Sequence, residues 1–201
     1  MTTNDLYERF QERLAAAGGE SHSVERLVQA AEIIAAHPAL VKKEVVVAPD
    51  FATSQSWAAI LPLLHNSGIE IREAGSPASV ADAPAGLSVA ELAIAETGSV
   101  LLADNAIEAR VVSMLTLTHF VLVRKEKLFP MLEDAGKLLL ELTKTGSDQQ
   151  HYISLVTGPS RTADIERTLT IGVQGPKALC VIVVGNMSSN PPIFGNPGLQ
   201  P

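Results

Sequence analysis

The segment Thr157-Gly158-Pro159-Ser160-Arg161-Thr162 has the residue types best suited to holding an anion. Gly158 lets backbone approach a ligand closely, Ser160 and Thr162 offer hydroxyl donors, and Arg161 carries a planar fork that matches a carboxylate or phosphate. The apolar run Tyr152 to Val156 precedes it, and a helix is expected from about Thr162 to Leu169. A strand feeding a helix through such a loop presents unpaired N–H groups where anions gather in open α/β sheets. The competing reading is architectural: Ser160 or Thr162 caps the helix, and Arg161 pairs with an internal acid. The spacing is neither GxxxxGK[ST] nor GxGxxG, so ATP or NAD binding does not follow from it.

A second group lies in AETGSV, residues 95–100, where Glu96, Thr97 and Gly98 interrupt two apolar runs. A carboxylate at the edge of an apolar sheet can act as base, nucleophile or ligand contact, and the glycine suggests a bulge or a close backbone approach. Between Phe51 and Val123 the only basic residues are Arg72 and Arg110, against seven acids, so Arg110 is the natural partner of Glu96 or of a bound anion. His119, at the start of an apolar run, is a candidate acid or base, although a hydrogen-bonded core histidine is the commoner use of such a position. His22, His37, His65 and His151 share no metal-ligand spacing, and no protein-bound metal is expected. Cys180 sits inside the apolar run Leu179 to Val184 and reads as a small buried hydrophobe; Gly172 and Gly175 mark a turn before that run.

The 201 residues, 46% hydrophobic and 18% charged, suit a globular fold of ordinary size. A formal charge of −7 disfavours a nucleic-acid partner. A single cysteine excludes an internal disulfide and cannot supply the four thiolates of a typical iron–sulfur cluster. No apolar run is long enough to span a bilayer, and the polar, acidic start MTTNDLYERF is unlike a signal peptide, so a cytoplasmic location is expected.

The elements that must position these residues follow from periodicity. Leu6, Phe10 and Leu14 recur every fourth residue in a helix over 4–17, ended by Gly18-Gly19; a second helix is expected from Ser23 to His37-Pro38. Short apolar strands are expected at 44–48, 69–73, 92–95, 99–103, 118–124, 152–156 and 179–184. Helices are expected at 53–66, 106–115 and 129–144, and a loop at 75–86. This alternation predicts an α/β fold with a mostly parallel sheet flanked by helices. Residues 1–40 read as a helical segment packing on an α/β domain of residues 41–187. Residues 188–201 read as an extended Pro/Gly-rich tail, anchored through Ile193 and Phe194 on this or another subunit.

AIAETGSVLL, the stretch from Arg110 to His119, and TGPSRTADIERTLTIGVQGPKALCVIVV together resemble the lactate-utilization LUD domain, in particular its lactate utilization protein C type. The resemblance covers most of the chain and implies a fold akin to sugar-phosphate isomerases and CoA transferases. It places the family pattern on Glu96, Thr97, Gly98, Arg110, His119, Gly158, Pro159, Ser160, Arg161, Thr162, Asp164, Ile165, Glu166, Gly172, Gly175 and Pro176. Histidines expected in the family are replaced here by Gln174 and Cys180. The resemblance further implies an accessory subunit of a system that oxidises lactate to pyruvate, with iron–sulfur clusters in partner subunits and no cofactor bound by this chain. The alternative is an independent enzyme on a small carboxylate, sugar phosphate or acyl-CoA, with Glu96 as base or nucleophile and Arg161 holding the anion. Both leave open a small anionic ligand and a homo-oligomer.

Overall fold

The computed structural model describes residues 2–54, 56–163 and 169–185. The expected tail, with Ile193 and Phe194, and Asp164, Ile165 and Glu166 lie outside them. Among the described residues there are twelve strands: β1 (Glu20–Val24), β2 (Glu44–Val47), β3 (Glu70–Glu73), β4 (Ala85–Val89), β5 (Leu92–Ile94), β6 (Ser99–Ala103), β7 (Thr118–Arg124), β8 (Leu128–Phe129), β9 (Ile153–Val156), β10 (Arg161–Thr162), β11 (Thr170–Ile171) and β12 (Ala178–Val184). The α-helices are α1 (Thr3–Ala16), α2 (Leu27–Ala36), α3 (Ile60–Asn66), α4 (Pro77–Val80), α5 (Ile107–Leu115) and α6 (Gly136–Thr143).

The runs VVV, FVLV and LCVIVV are apolar at successive positions because both faces of their sheet are covered. They become β2, β7 and β12 of a six-stranded sheet ordered β1-β12-β7-β4-β2-β3, and every pairing in it is parallel. Val45, Val47, Leu87, Phe120, Leu122 and Ile182 point to one face and pack with α2 and α3. Val121, Val123, Val181 and Val183 point to the other, where Phe10 and Leu14 of α1 and Ala93, Val100 and Leu102 of a second sheet meet them. That second sheet, ordered β8-β5-β6-β9, is largely antiparallel and packs α6 against its far side.

Chain order sets the geometry of the site. From β2 the chain steps outward to β3, then crosses back to β4 and continues through β7 to β12. The reversal falls between β2 and β4, where a crevice opens at the carboxyl ends of the strands.

Several elements differ from expectation, each for a physical reason. The first 40 residues are not wholly helical: Glu20–Val24 form an edge strand of the parallel sheet, whose alternating polar residues hide it, and α2 starts later, at Leu27. Residues 75–86, expected as a loop, contain α4 and the start of β4. The strand is written in small residues because α5 packs close: a Cβ on Gly86 would lie 2.8 Å from Val112 and Thr116 side-chain atoms. The Glu96-Thr97-Gly98 interruption is the turn of the β5–β6 hairpin rather than a bulge. Phe129 pairs as a strand, so the helix expected over 129–144 is reduced to 136–143.

Two differences bear directly on function. The strand before Thr157 is β9, which runs antiparallel to β6 in the second sheet, so the strand-end rule for parallel sheets does not apply to it. The helix expected from Thr162 to Leu169 is replaced at its start by β10, whose Arg161 and Thr162 pair with Ile171 and Thr170; β-branched side chains favour that pairing.

Candidate functional site

The crevice between β2 and β4 is a cleft of about 460 Å³. Ala48 and Asp50 after β2, Ser88 to Glu91 at the end of β4, and Arg124 at the end of β7 form its floor and rim. Asp104 after β6, Arg110 on α5, Lys127, Trp57 and Tyr152 close its sides. The Arg110 guanidinium lies 5.0 Å from the centre of the Tyr152 ring, a cation–π distance. Its buried Nε has no hydrogen-bond partner among the described residues, so a donor of a fixed cation is left for a ligand or water. Arg124 donates to the Ser56 hydroxyl and reaches Glu126 at 3.5 Å.

Acids complete the charge pattern. Burial raises the Asp104 carboxyl above its usual range; a hydrogen bond at 2.8 Å from the Ala106 N–H opposes this, and Asp50 reinforces it. Burial likewise raises Glu91, opposed by Lys127 and reinforced by Asp104. The cleft thus sets the cations Arg110, Arg124 and Lys127 beside carboxyls whose proton affinity burial raises.

Of the residues expected at the site, Arg110 lies in this cleft. His119, Gly158, Pro159 and Ser160 come together instead around a neighbouring hollow of about 260 Å³, with Gln174 also on its wall; Ser113 borders both spaces. His119 is fully buried on β7, its Nε2 is 3.0 Å from the Ser88 hydroxyl, and its Nδ1 has no partner among the described residues. Burial pushes its pKa down to about 4, so the ring is neutral at neutral pH.

Glu96 stands apart. Its carboxylate accepts from the Leu132 N–H at 3.4 Å on the hairpin turn, and it neither lines the cleft nor forms an ion pair with Arg110. Thr97 is tied to the Thr157 segment through Ser99, which donates to Thr97 at 2.7 Å; Thr157, 2.5 Å from the Ser99 oxygen, must then be the donor to it. Gly98 and Gly158 both press against the C-terminal part of α1, and the exposed Arg161 donates to the Ala17 carbonyl there. Thr162 is held in β10. The two motifs thus meet at the docking site of α1. Arg161→Ala is expected to lower stability by about 1 kcal/mol, the loss of one such hydrogen bond; an unchanged urea midpoint would show that the Ala17 contact carries no weight.

Sequence reasoning missed Ser88, Glu91, Asp104, Arg124, Lys127, Trp57 and Tyr152. Arg124 was within reach, since it ends an expected strand; Ser88 was hidden because β4 was not expected. Chain spacing also hid Glu20, His22 and Cys180, whose ligand atoms lie within 4.8 Å of one another. Cys180 cannot hold an iron–sulfur cluster alone, and burial, with Glu20 adjacent, raises its thiol above the usual range in the metal-free chain.

Fold and site together define an α/β protein with a mixed-charge cleft at the switch point of a parallel sheet. The chain belongs to the LUD domain family, whose model matches residues 7–184. Lactate utilization protein C 1 of Bacillus mycoides is 34% identical over 99 residues, covering 49% of this chain and 42% of the relative. Lactate utilization protein C of Bacillus subtilis is 33% identical over 101 residues, covering 50% of this chain and 42% of the relative. The match therefore spans less than half the length of these relatives. A crystal structure of a DUF162 family protein from Deinococcus radiodurans shares the fold, with a TM-score of 0.67 at 21% identity over 92% of this chain and 99% of that one. No helix among the described residues is long and apolar enough to cross a membrane.

Proposed function

We propose that this chain serves lactate utilization in the cytoplasm as an accessory subunit that binds a small hydroxy or keto acid in the switch-point cleft. Iron–sulfur partner subunits carry the electrons. The observation that carries the reading is the buried, unpartnered Nε of Arg110 in a cleft that also holds Lys127, Glu91 and Asp104. The names of the relatives supply the acid, and the single thiol of this chain supports placing the clusters elsewhere. At about 460 Å³ the cleft is larger than a three-carbon acid fills, which leaves room for water or for a group from a partner.

Calorimetry with L-lactate and pyruvate tests the binding, and growth of a deletion strain on L-lactate tests the pathway. Arg110→Gln is expected to weaken acid binding roughly 10–100-fold, the worth of one charge-assisted contact. The deletion strain is expected to lose growth on lactate and keep it on glucose, and the tagged chain to retain iron–sulfur subunits in a pull-down. Unimpaired lactate consumption without the chain would overturn the pathway; binding untouched by Arg110→Gln would overturn the site.

A further inference from the structure

At one edge of the parallel sheet, β1 and β12 run side by side with Glu20 opposite Cys180 and His22 opposite Ile182. Residues paired in register share a face, and residues two apart on a strand do too. Cys180 and Ile182 face the core shared with α2 and α3, so Glu20 and His22 point the same way. One carboxylate oxygen, one imidazole nitrogen and one thiol sulfur are thereby brought within 4.8 Å of each other.

The surroundings arrange this set further. His37 follows the end of α2, and its ring stands edge-on to Phe120 with centroids 5.0 Å apart. The Ala39 N–H donates to His37 Nδ1 at 3.1 Å, so the neutral ring carries its proton on Nε2. That N–H donates to Glu20 Oε1 at 2.7 Å and fixes the orientation of the carboxylate. A hydrogen bond of this kind, from a second ring to a ligating group, is how metal sites orient their ligands. Glu20 is exposed, His22 is half-buried and Cys180 is buried, so the set opens to solvent at the sheet edge and closes toward the core.

We infer that Glu20, His22 and Cys180 form a binding site for one borderline-soft divalent cation of the zinc type, with His37 positioning Glu20. Thiolate, imidazole and carboxylate together favour such a cation over calcium or magnesium, which prefer all-oxygen shells. Binding forms bonds from the metal to sulfur, nitrogen and oxygen, and releases the thiol proton to water. Three protein ligands leave a fourth position facing solvent. The bound cation would clip the edge strand β1 to the central strand β12.

The full-length protein, stripped by a chelator and dialysed, is titrated with zinc, and separately with cobalt as a spectroscopic probe. One equivalent of zinc is expected to bind, and cobalt to show a sulfur-to-metal charge-transfer band with tetrahedral d–d absorption. His37→Ala is expected to weaken zinc binding by about 10–100-fold, and His22→Ala and Cys180→Ser to weaken it further. Circular dichroism of the metal-free variants checks that they fold. If a variant does not fold, the cobalt spectrum of the unaltered chain decides alone. Absence of a sulfur-to-cobalt band, or wild-type zinc affinity in a folded His22→Ala or Cys180→Ser variant, would overturn the site.

Discussion

Gly98→Ala is expected to lower the unfolding free energy by about 2–5 kcal/mol and the thermal midpoint by roughly 10 °C. Gly98 sits in the left-handed region, with φ of 68°, at the end of the β5–β6 turn, where its N–H donates to the Ile94 carbonyl at 2.9 Å. An L-residue there costs about 1–2 kcal/mol in backbone strain alone. The added Cβ would also overlap the Leu14 backbone nitrogen and lie 2.7 Å from the Arg13 carbonyl carbon and 2.8 Å from Leu14 Cα. These are backbone atoms of a helix and cannot step aside, so overpacking adds about 1–3 kcal/mol. Gly158 makes the same kind of approach to Ala17, and its alanine variant should behave alike. Thermal denaturation followed by circular dichroism measures the effect; a midpoint within a degree or two of the unaltered protein would show that α1 is not docked through these glycines.

The central strands of the parallel sheet were legible because burial on both faces leaves an unbroken apolar run, as in Val45 to Val47, Phe120 to Val123 and Leu179 to Val184. The strands that were missed or misplaced lack that signature. Glu20–Val24 is an edge strand with polar residues, and Ala85–Val89 is built from small ones so that Val112 and Thr116 can approach. The candidate cleft was half legible for the same reason. Arg110 drew notice as one of two cations in a long acidic stretch, whereas Ser88 and Glu91 are recognisable only once β4 is a strand and the reversal between β2 and β4 is known. Thr157 to Thr162 has the composition of an anion loop, but composition does not say which sheet the preceding strand joins. Because β9 joins the antiparallel sheet, Gly158 and Arg161 meet the end of α1.

His119→Gln should remove on the order of 3 kcal/mol of pH-dependent stability between pH 7 and pH 4. In the native protein the buried imidazole has a pKa near 4, against 6.5 as the ordinary value. Between those values the unfolded chain takes up a proton that the native chain refuses, so stability is complete above about pH 6.5 and falls as the pH drops toward 4. At about 1.4 kcal/mol per pH unit the gap amounts to about 3 kcal/mol. Glutamine cannot titrate and keeps an amide that can reach the Ser88 hydroxyl. Urea denaturation of both proteins at several pH values therefore isolates the effect as a difference in slope, whatever the variant loses at neutral pH. Parallel pH profiles would refute a neutral buried ring. The same burial bears on function: His119 meets the cleft through Ser88 and the neighbouring hollow through its own wall position, and at neutral pH it does so as a hydrogen-bonding group without charge. Charge in the cleft is thus left to Arg110, Arg124 and Lys127 and to the acids facing them.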